Sequence, residues 1–292
     1  MRALVTGAGG MLGVDLVRAL AADPTITLTA ADRTVLDIRD PAAVHDMVAG
    51  HDVVINAAAW TDVDGAETAE EAATEINGVA VGHLARACAA TGARLIQLST
   101  DYVLPGEIAP GTPAVPWPED AATAPVNAYG RGKLVGEQAV LSILPENGYV
   151  VRTAWLYGEH GRNFVSTMLR LATQRETLDV VDDQFGQPTW TVALAEQLVE
   201  LVHAAEAGLA TAGIYHGTSG GETTWAGLAR AAFAATGLDP ERIRSTTSAA
   251  FVRPARRPSY SVLGHQRWNT AGVKAQPGWH AQLTEALTRG VA

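Results

Sequence analysis

Ala3-Leu-Val-Thr-Gly7-Ala-Gly-Gly10-Met-Leu-Gly13 runs from a short β-rich stretch into the start of a helical one. Gly7 permits a tight turn, Gly10 lets the backbone approach a phosphate, and Gly13 allows close helix packing. The helix N-terminus behind them supplies free amides and partial positive charge. A glycine-rich turn alone is a weak signal. Here it follows a strand, opens a helix, and precedes a second strand ending in Asp32, roughly 20 residues on, where an acidic side chain would meet an adenosine ribose. The expected phosphate cradle is therefore Gly7, Gly10, Met11, Leu12 and Gly13, with Asp32 as the ribose ligand.

Outward from that turn, β-rich runs recur at Ile26 to Ala30, Val53 to Asn56, Arg94 to Ser99 and Tyr149 to Thr153, separated by helical patterns. Such alternation predicts an α/β fold, a Rossmann-type doubly wound parallel sheet. Leu12, Leu16 and Leu20, and again Val81, Leu84 and Cys88, repeat at helical spacing and read as core, with Gly92 as a C-cap. After residue 156 the regularity weakens, and helical patterns near 163–175, 191–207, 223–236 and 279–289 imply a smaller C-terminal α/β domain. The expected division is 1–156 with 177–212 for the nucleotide-binding domain, and 157–176 with 213–292 for a substrate domain. Between 101 and 128, prolines at 105, 110, 113, 116, 118 and 125 forbid a regular element. That loop reads either as substrate-facing or as a surface excursion.

The 292 residues are 47% hydrophobic, enough for a large core, and 21 Lys and Arg stand against 31 Asp and Glu. A formal charge of −10 argues against nucleic acid and anionic membrane surfaces as partners. The single cysteine, Cys88, excludes an internal disulfide, and the eight histidines never fall three or four apart, so no metal site is expected. No apolar run approaches the roughly 18–20 residues that span a bilayer, and no signal-peptide pattern opens the chain. A cytoplasmic protein is the expectation.

Several residues carry chemistry. Arg33 could pair with a 2′-phosphate that Asp32 would repel, so NADH and NADPH both stay open. Asp37-Ile38 could contact an adenine edge and face, or simply cap a helix. Asn56-Ala57-Ala58-Ala59 ends the third strand in small side chains that would let a cofactor cross it. Tyr129 and Lys133 lie four apart at the start of a predicted helix and project from one face. A phenol titrates near pH 10, and bringing it to 7 takes roughly 4 kcal/mol of phenolate stabilisation, within reach of a nearby ammonium and a positive nicotinamide together. Thr100, after Ser99 at a strand end, offers a hydroxyl to the same substrate oxygen.

Taken together, Gly7 to Gly13, Asn56 to Ala59, Ser99-Thr-Asp-Tyr-Val103, Asn127-Ala-Tyr-Gly130 with Lys133 and Gly136-Glu137, Arg152-Thr-Ala-Trp-Leu-Tyr157, Asn163-Phe164, Asp183 to Thr189 and Pro254-Ala-Arg-Arg-Pro258 resemble the dTDP-4-dehydrorhamnose reductase family of extended short-chain dehydrogenase/reductases. The resemblance spans nearly the whole chain. It implies NADPH- or NADH-dependent reduction of the C4 ketone of a dTDP-6-deoxy-4-ketohexose, with Thr100, Tyr129 and Lys133 catalytic. It further implies Asp101, Tyr102, Trp155, Asn163 and Gln184 on the substrate side, and a possible homodimer. Trp155 follows a strand end, where an indole could stack on a hexose or fill the core. Arg256 and Arg257, between prolines, suit a nucleotide diphosphate or else form a solvated pair. Leu104, Gly65 and Tyr260 depart from the family pattern and loosen the choice of sugar. Sister 4-ketoreductases of other dTDP-deoxysugars, and a non-catalytic regulatory subunit, are the competing readings.

Overall fold

The computed structural model describes residues 1–109 and 111–291. Its centre is a six-stranded parallel sheet in the order β10-β5-β4-β3-β1-β2. The strands are β1 (Arg2–Thr6), β2 (Thr27–Ala31), β3 (Val53–Asn56), β4 (Arg94–Thr100), β5 (Gly148–Thr153) and β10 (Gly213–His216). All five pairings are parallel, with Leu4 opposite both Leu28 and Val54. Helices cover both faces, so strand residues are apolar in succession rather than alternately. On one face Ala3 and Val5 meet Leu12, Leu16 and Leu20 of α1 (Met11–Ala21) and Leu194, Leu198 and Leu201 of α8 (Thr191–Glu206). On the other, Leu4 and Val54 meet α2 (Pro41–Val48), α5 (Ala80–Thr91) and α6 (Ala128–Ile143), where Cys88 is buried as a free thiol.

Between β3 and α5 the chain winds through α3 (Val63–Ala66), α4 (Glu70–Thr74) and one π-helical turn, Glu75–Val79. The second lobe gathers β6 (Leu156–Tyr157), α7 (Phe164–Ala172), β7 (Leu178–Val181), β8 (Phe185–Gly186), β9 (Thr189–Trp190), β11 (Thr223–Thr224), α9 (Trp225–Ala235), β12 (Ile243–Thr246) and α11 (Trp279–Thr288). Its own cores centre on Phe233 and Leu283. The division read from the sequence needs one correction. The sequence pattern puts Gly213–His216 in the substrate domain, yet β10 is the edge strand of the large sheet, paired with β5 from Gly213↔Tyr149 to His216↔Arg152. Trp268, on the short helix α10 (Gln266–Ala271), and Val273 pack into the same core as α1 and α8. The chain thus returns to the first lobe late, which no local periodicity announces.

The proline-rich loop is a clasp between lobes. Trp117 N donates to the Val262 carbonyl at 2.8 Å, Gly264 N donates to the Trp117 carbonyl at 2.7 Å, and the indole N–H reaches the Tyr260 carbonyl at 3.3 Å. Only the start of the segment, at Asp101 and Tyr102, lines the large cleft described below; Pro110 lies outside the described residues. Among those described, no helix is long and apolar enough to cross a membrane, and no three His, Cys, Asp or Glu side chains gather into a metal-ligand set.

A buried polar joint fastens the return crossing. His216 Nδ1 donates to the Gly264 carbonyl at 2.9 Å, and His265 Nε2 lies 2.7 Å from Thr218 Oγ1, which donates to Gln187 Oε1. Burial pushes both imidazoles down, His216 to about 3 and His265 to about 4. Each therefore binds a proton in the unfolded chain before it does so folded. Their contribution to stability is complete above the unfolded value near 6.5 and is lost as pH falls from there toward 4. Asp101, raised to about 6, works the opposite way, but it is one group against two. The urea midpoint is expected to fall between pH 7.5 and pH 5, and His265→Gln should flatten that dependence; an unchanged midpoint would contradict the assignment.

Candidate active site

The strand order reverses between β1 and β3, the switch point where open parallel sheets bind ligands beyond their carboxyl ends. A cleft of about 1170 Å³ opens there. Gly7, Gly10, Met11, Leu12 and Gly13 line it, as do Asp32, Arg33, Asp37, Ile38 and Ala57 to Ala59. Gly7 has φ 71, and a Cβ on it would lie 2.6 Å from the Ala57 carbonyl carbon, so the turn and the end of β3 approach as only glycine allows. Gly10 caps α1 without a side-chain hydrogen bond, leaving the first-turn amides to the cleft. That arrangement fits a dinucleotide pyrophosphate.

The ribose end is more committed than the sequence implies. Asp32 Oδ1 accepts from Thr34 N at 2.8 Å, Thr34 Oγ1 at 2.6 Å and Val35 N at 3.2 Å, and these bonds hold its carboxyl below the usual value. Only its second oxygen remains for a ribose. Asp37 is paired with Arg39, whose Nε and Nη2 reach it at 2.6–3.1 Å, so its carboxylate serves its own turn. Arg33 is exposed and, among the described residues, has no ion-pair partner.

Across the cleft, β4 ends in Ser99 and Thr100, and α6 begins behind the cap of Asn127, whose Oδ1 accepts from Gly130 N at 2.8 Å. Tyr129 and Lys133 stand one turn apart on that helix and, with Thr100, line the cleft. A Cβ on Gly130 would collide with the Tyr102 carbonyl, so α6 sits close enough to bring its phenol to Thr100. Thr100 Oγ1 donates to Asp101 Oδ1 at 2.9 Å. Lys133 is buried and donates to the Leu98 carbonyl at 2.7 Å. One of its three donors is thereby used. Burial pushes its ammonium down to about 8, against the opposing charge of Glu137.

The protein's own groups raise the Tyr129 phenol above its ordinary value, by burial first and then by the Asp101 carboxylate; a hydrogen bond to Thr100 pulls the other way. Asp101 itself is buried, and desolvation lifts it to about 6. Without ligands, the phenol is thus held firmly protonated.

On the substrate side, Tyr102 packs edge-on to Tyr129 with ring centroids 6.0 Å apart. The Arg257 guanidinium lies 5.8 Å above the Tyr102 ring, 3.3 Å from its hydroxyl and 2.9 Å from Asp64. Trp155 also lines the cleft, at φ 46, the one non-glycine residue with positive φ among those described. For so bulky a side chain that costs about 1–3 kcal/mol, strain of the kind that clusters at ligand sites. Its indole stacks on Trp225 with centroids 3.5 Å apart and planes 9° apart.

Three expected substrate residues fall outside the cleft lining. Asn163 is buried as the cap of α7, with Oδ1 accepting from Ser166 N and Nδ2 donating to the Gly158 carbonyl, both at 2.9 Å. Gln184 spends its amide on Trp225 Nε1 at 3.1 Å and Ser248 Oγ at 2.7 Å. Arg256 is exposed and pairs with Glu107. Conversely, Trp225 and Arg162 line the cleft without a mark in the sequence. An indole at the start of α9 has no pattern that separates it from core, and Arg162 follows an ordinary glycine turn.

A parallel nucleotide-binding sheet with a Tyr/Lys pair at its ligand edge and a second lobe over it defines the class of extended short-chain dehydrogenase/reductases. The model of the family described as the RmlD substrate binding domain matches residues 1–291, and the chain belongs to that family. It is 52% identical to a dTDP-4-dehydrorhamnose reductase of Streptomyces griseus, over 98% of this chain and 93% of that protein. It is 49% identical to a dTDP-4-keto-6-deoxy-D-glucose reductase of Streptomyces niveus, over 98% and 96%. Among solved structures, the dTDP-4-dehydrorhamnose reductase of Bacillus anthracis in complex with NADP superposes with a TM-score of 0.90 at 32% identity, covering 99% of each chain.

The indole stack has a direct test. A Cβ on Gly186 would lie 2.5 Å from Trp155 Cε2. Gly186→Ala should therefore displace Trp155, abolish the paired-indole signal in the circular dichroism spectrum and weaken substrate binding. Retention of that signal would place the two rings elsewhere.

Proposed function

We propose that the chain is an NAD(P)H-dependent reductase of the C4 ketone of a dTDP-4-keto-6-deoxyhexose, yielding dTDP-L-rhamnose from dTDP-4-dehydrorhamnose. The observation that carries this reading is the meeting of Thr100, Tyr129 and Lys133 in the cleft that begins at the glycine-rich turn. The nicotinamide supplies the hydride when bound. The α1 amides would hold the pyrophosphate, and the small side chains of Ala57 to Ala59 would leave room for it beside the sheet. Lys133, with two donors unused, would hold the nicotinamide ribose and bear on the phenol. Tyr129 gives its proton to the ketone oxygen as alkoxide character develops, and Thr100 steadies that oxygen. A raised phenol suits a donor, because it arrives protonated; the phenolate it leaves is stabilised by the Lys133 ammonium.

Tyr102, Trp155 and Arg257 form the sugar-nucleotide side. Arg257 is the better candidate for the diphosphate because it faces the cleft whereas Arg256 does not. Arg33, free beside Asp32, supports use of NADPH as well as NADH, in keeping with the NADP complex of the Bacillus anthracis relative. The Streptomyces niveus relative supports a second reading, a sister ketosugar with different stereochemistry.

The test is absorbance at the reduced-nicotinamide band with each dTDP-ketosugar in turn. Ketosugar-dependent oxidation is expected, and its absence with both sugars and both cofactors would reject the proposal. Tyr129→Phe should lower kcat by roughly 10²–10⁴-fold while leaving dinucleotide binding intact. A folded variant that kept most of its activity would show that another group is the acid.

A further inference from the structure

Three charges lie buried beneath the candidate site: Lys133, Glu137 and Arg152. Lys133 and Glu137 are four apart on α6, the spacing at which an ammonium and a carboxylate ordinarily close into an ion pair. Here they do not. Glu137 Oε1 accepts from Ser99 Oγ at 2.6 Å and from Arg152 Nε at 2.9 Å, while Oε2 accepts from Arg152 Nη2 at 2.8 Å. Both oxygens are engaged in planar, two-point recognition from β5, with the Arg152 and Glu137 side chains 1% and 2% exposed. The Lys133 ammonium turns instead to the Leu98 carbonyl.

Other charges near α6 are already committed. Glu70 of α4 pairs with Arg131, Glu67 accepts from Ala128 N, and Glu75 of the π-turn acts on Arg39. On α5, Arg86 lies near Ala139 beside Gly82, and His83 is half-buried. Asp101 of the turn after β4 bears on Tyr129, and His216 of β10, opposite Arg152, is kept neutral by burial and by the Arg152 charge. Glu137 is the group whose charge opposes the desolvation of Lys133.

We propose that Glu137 is a positioning residue: Arg152 and Ser99 hold its carboxylate where it balances the Lys133 ammonium by charge alone, leaving the remaining Lys133 donors to the cofactor ribose and Tyr129. This rests on the reductase reading above. The geometry resolves a conflict in the site. A buried lysine needs a counter-charge to stay protonated, but a carboxylate in direct contact would take the donors that the ligands require. Arg152 separates the two effects by occupying the carboxylate first.

The two partners of the ion pair then give opposite signatures, which a merely structural role would not. The readouts are the pH profile of kcat/KM and the dinucleotide Kd as a function of pH, whose alkaline limbs follow loss of the Lys133 proton. Glu137→Gln should move the limb to lower pH by about one unit or more. Arg152→Met should move it to higher pH and lower kcat about tenfold, as the released carboxylate draws the ammonium onto itself. Where Glu137→Gln fails to fold, because Arg152 is left unpaired, the comparison runs from Arg152→Met to the double variant Glu137→Gln/Arg152→Met, which differ by the Glu137 charge alone. The double variant's limb should lie lower by about one unit or more. Shifts in the same direction for both single variants, or coincident limbs in that last pair, would overturn the proposal. A wild-type protein that binds dinucleotide with this pH dependence but reduces no ketosugar would sink the reductase reading and leave the assignment of Glu137 standing.

Discussion

On the proposed reading Lys133 has to remain an ammonium while its side chain is buried between a helix and a sheet, and much of the surrounding structure answers to that constraint. The helix that carries it must lie close to the end of β4. Asn127 starts that helix, and Gly130 lets it press against the Tyr102 backbone. Gly136 lets its next turn approach the Asn77 carbonyl of the π-turn, where any side chain would collide. The same closeness that brings Tyr129 to Thr100 removes water from Lys133, so the precision of the site and the cost of the charge have a single origin. On the proposed reading, the ion pair that Glu137 of this helix makes with Arg152 of β5 offsets that cost.

The second lobe is fastened to the first at several points. Asp64, at the start of α3, receives Arg257 at 2.9 Å, Arg253 at 3.3 Å and the Ala255 amide at 3.2 Å, drawing the 253–257 strap over the cleft. Trp117 clamps the proline-rich loop to residues 260–264. The strap carries Arg257, so the guanidinium facing the cleft is placed by a carboxylate from the opposite lobe. An anionic ligand would find it pre-aimed, with its ordering cost met during folding.

Local chemistry was legible in the sequence; long-range placement was not. The glycine turn, the strand-end Thr100 and the Tyr129/Lys133 spacing declare themselves because each requirement is met within a few residues. Ala57 to Ala59, also a local feature, line the cleft. Gly213–His216 was misplaced because a four-residue strand carries no mark of the lobe it will join. Asn163 and Gln184 were read as ligands, but an amide that caps a helix or bridges two loops looks the same in sequence as one that meets a sugar. Arg256 and Arg257 differ only in direction, which the packing of the strap decides. The raised phenol comes first from the burial of Tyr129 itself and then from Asp101, and both burials follow from the fold and not from neighbours in sequence.

The most direct measurement of the central claim is where the hydride goes. Reduction of dTDP-4-dehydrorhamnose with NADPH carrying deuterium at the transferring position should deliver the label to C4 of the deoxyhexose, with NMR reporting a single configuration there. Deuterium retained on the nicotinamide, or found at any other sugar carbon, would contradict the account.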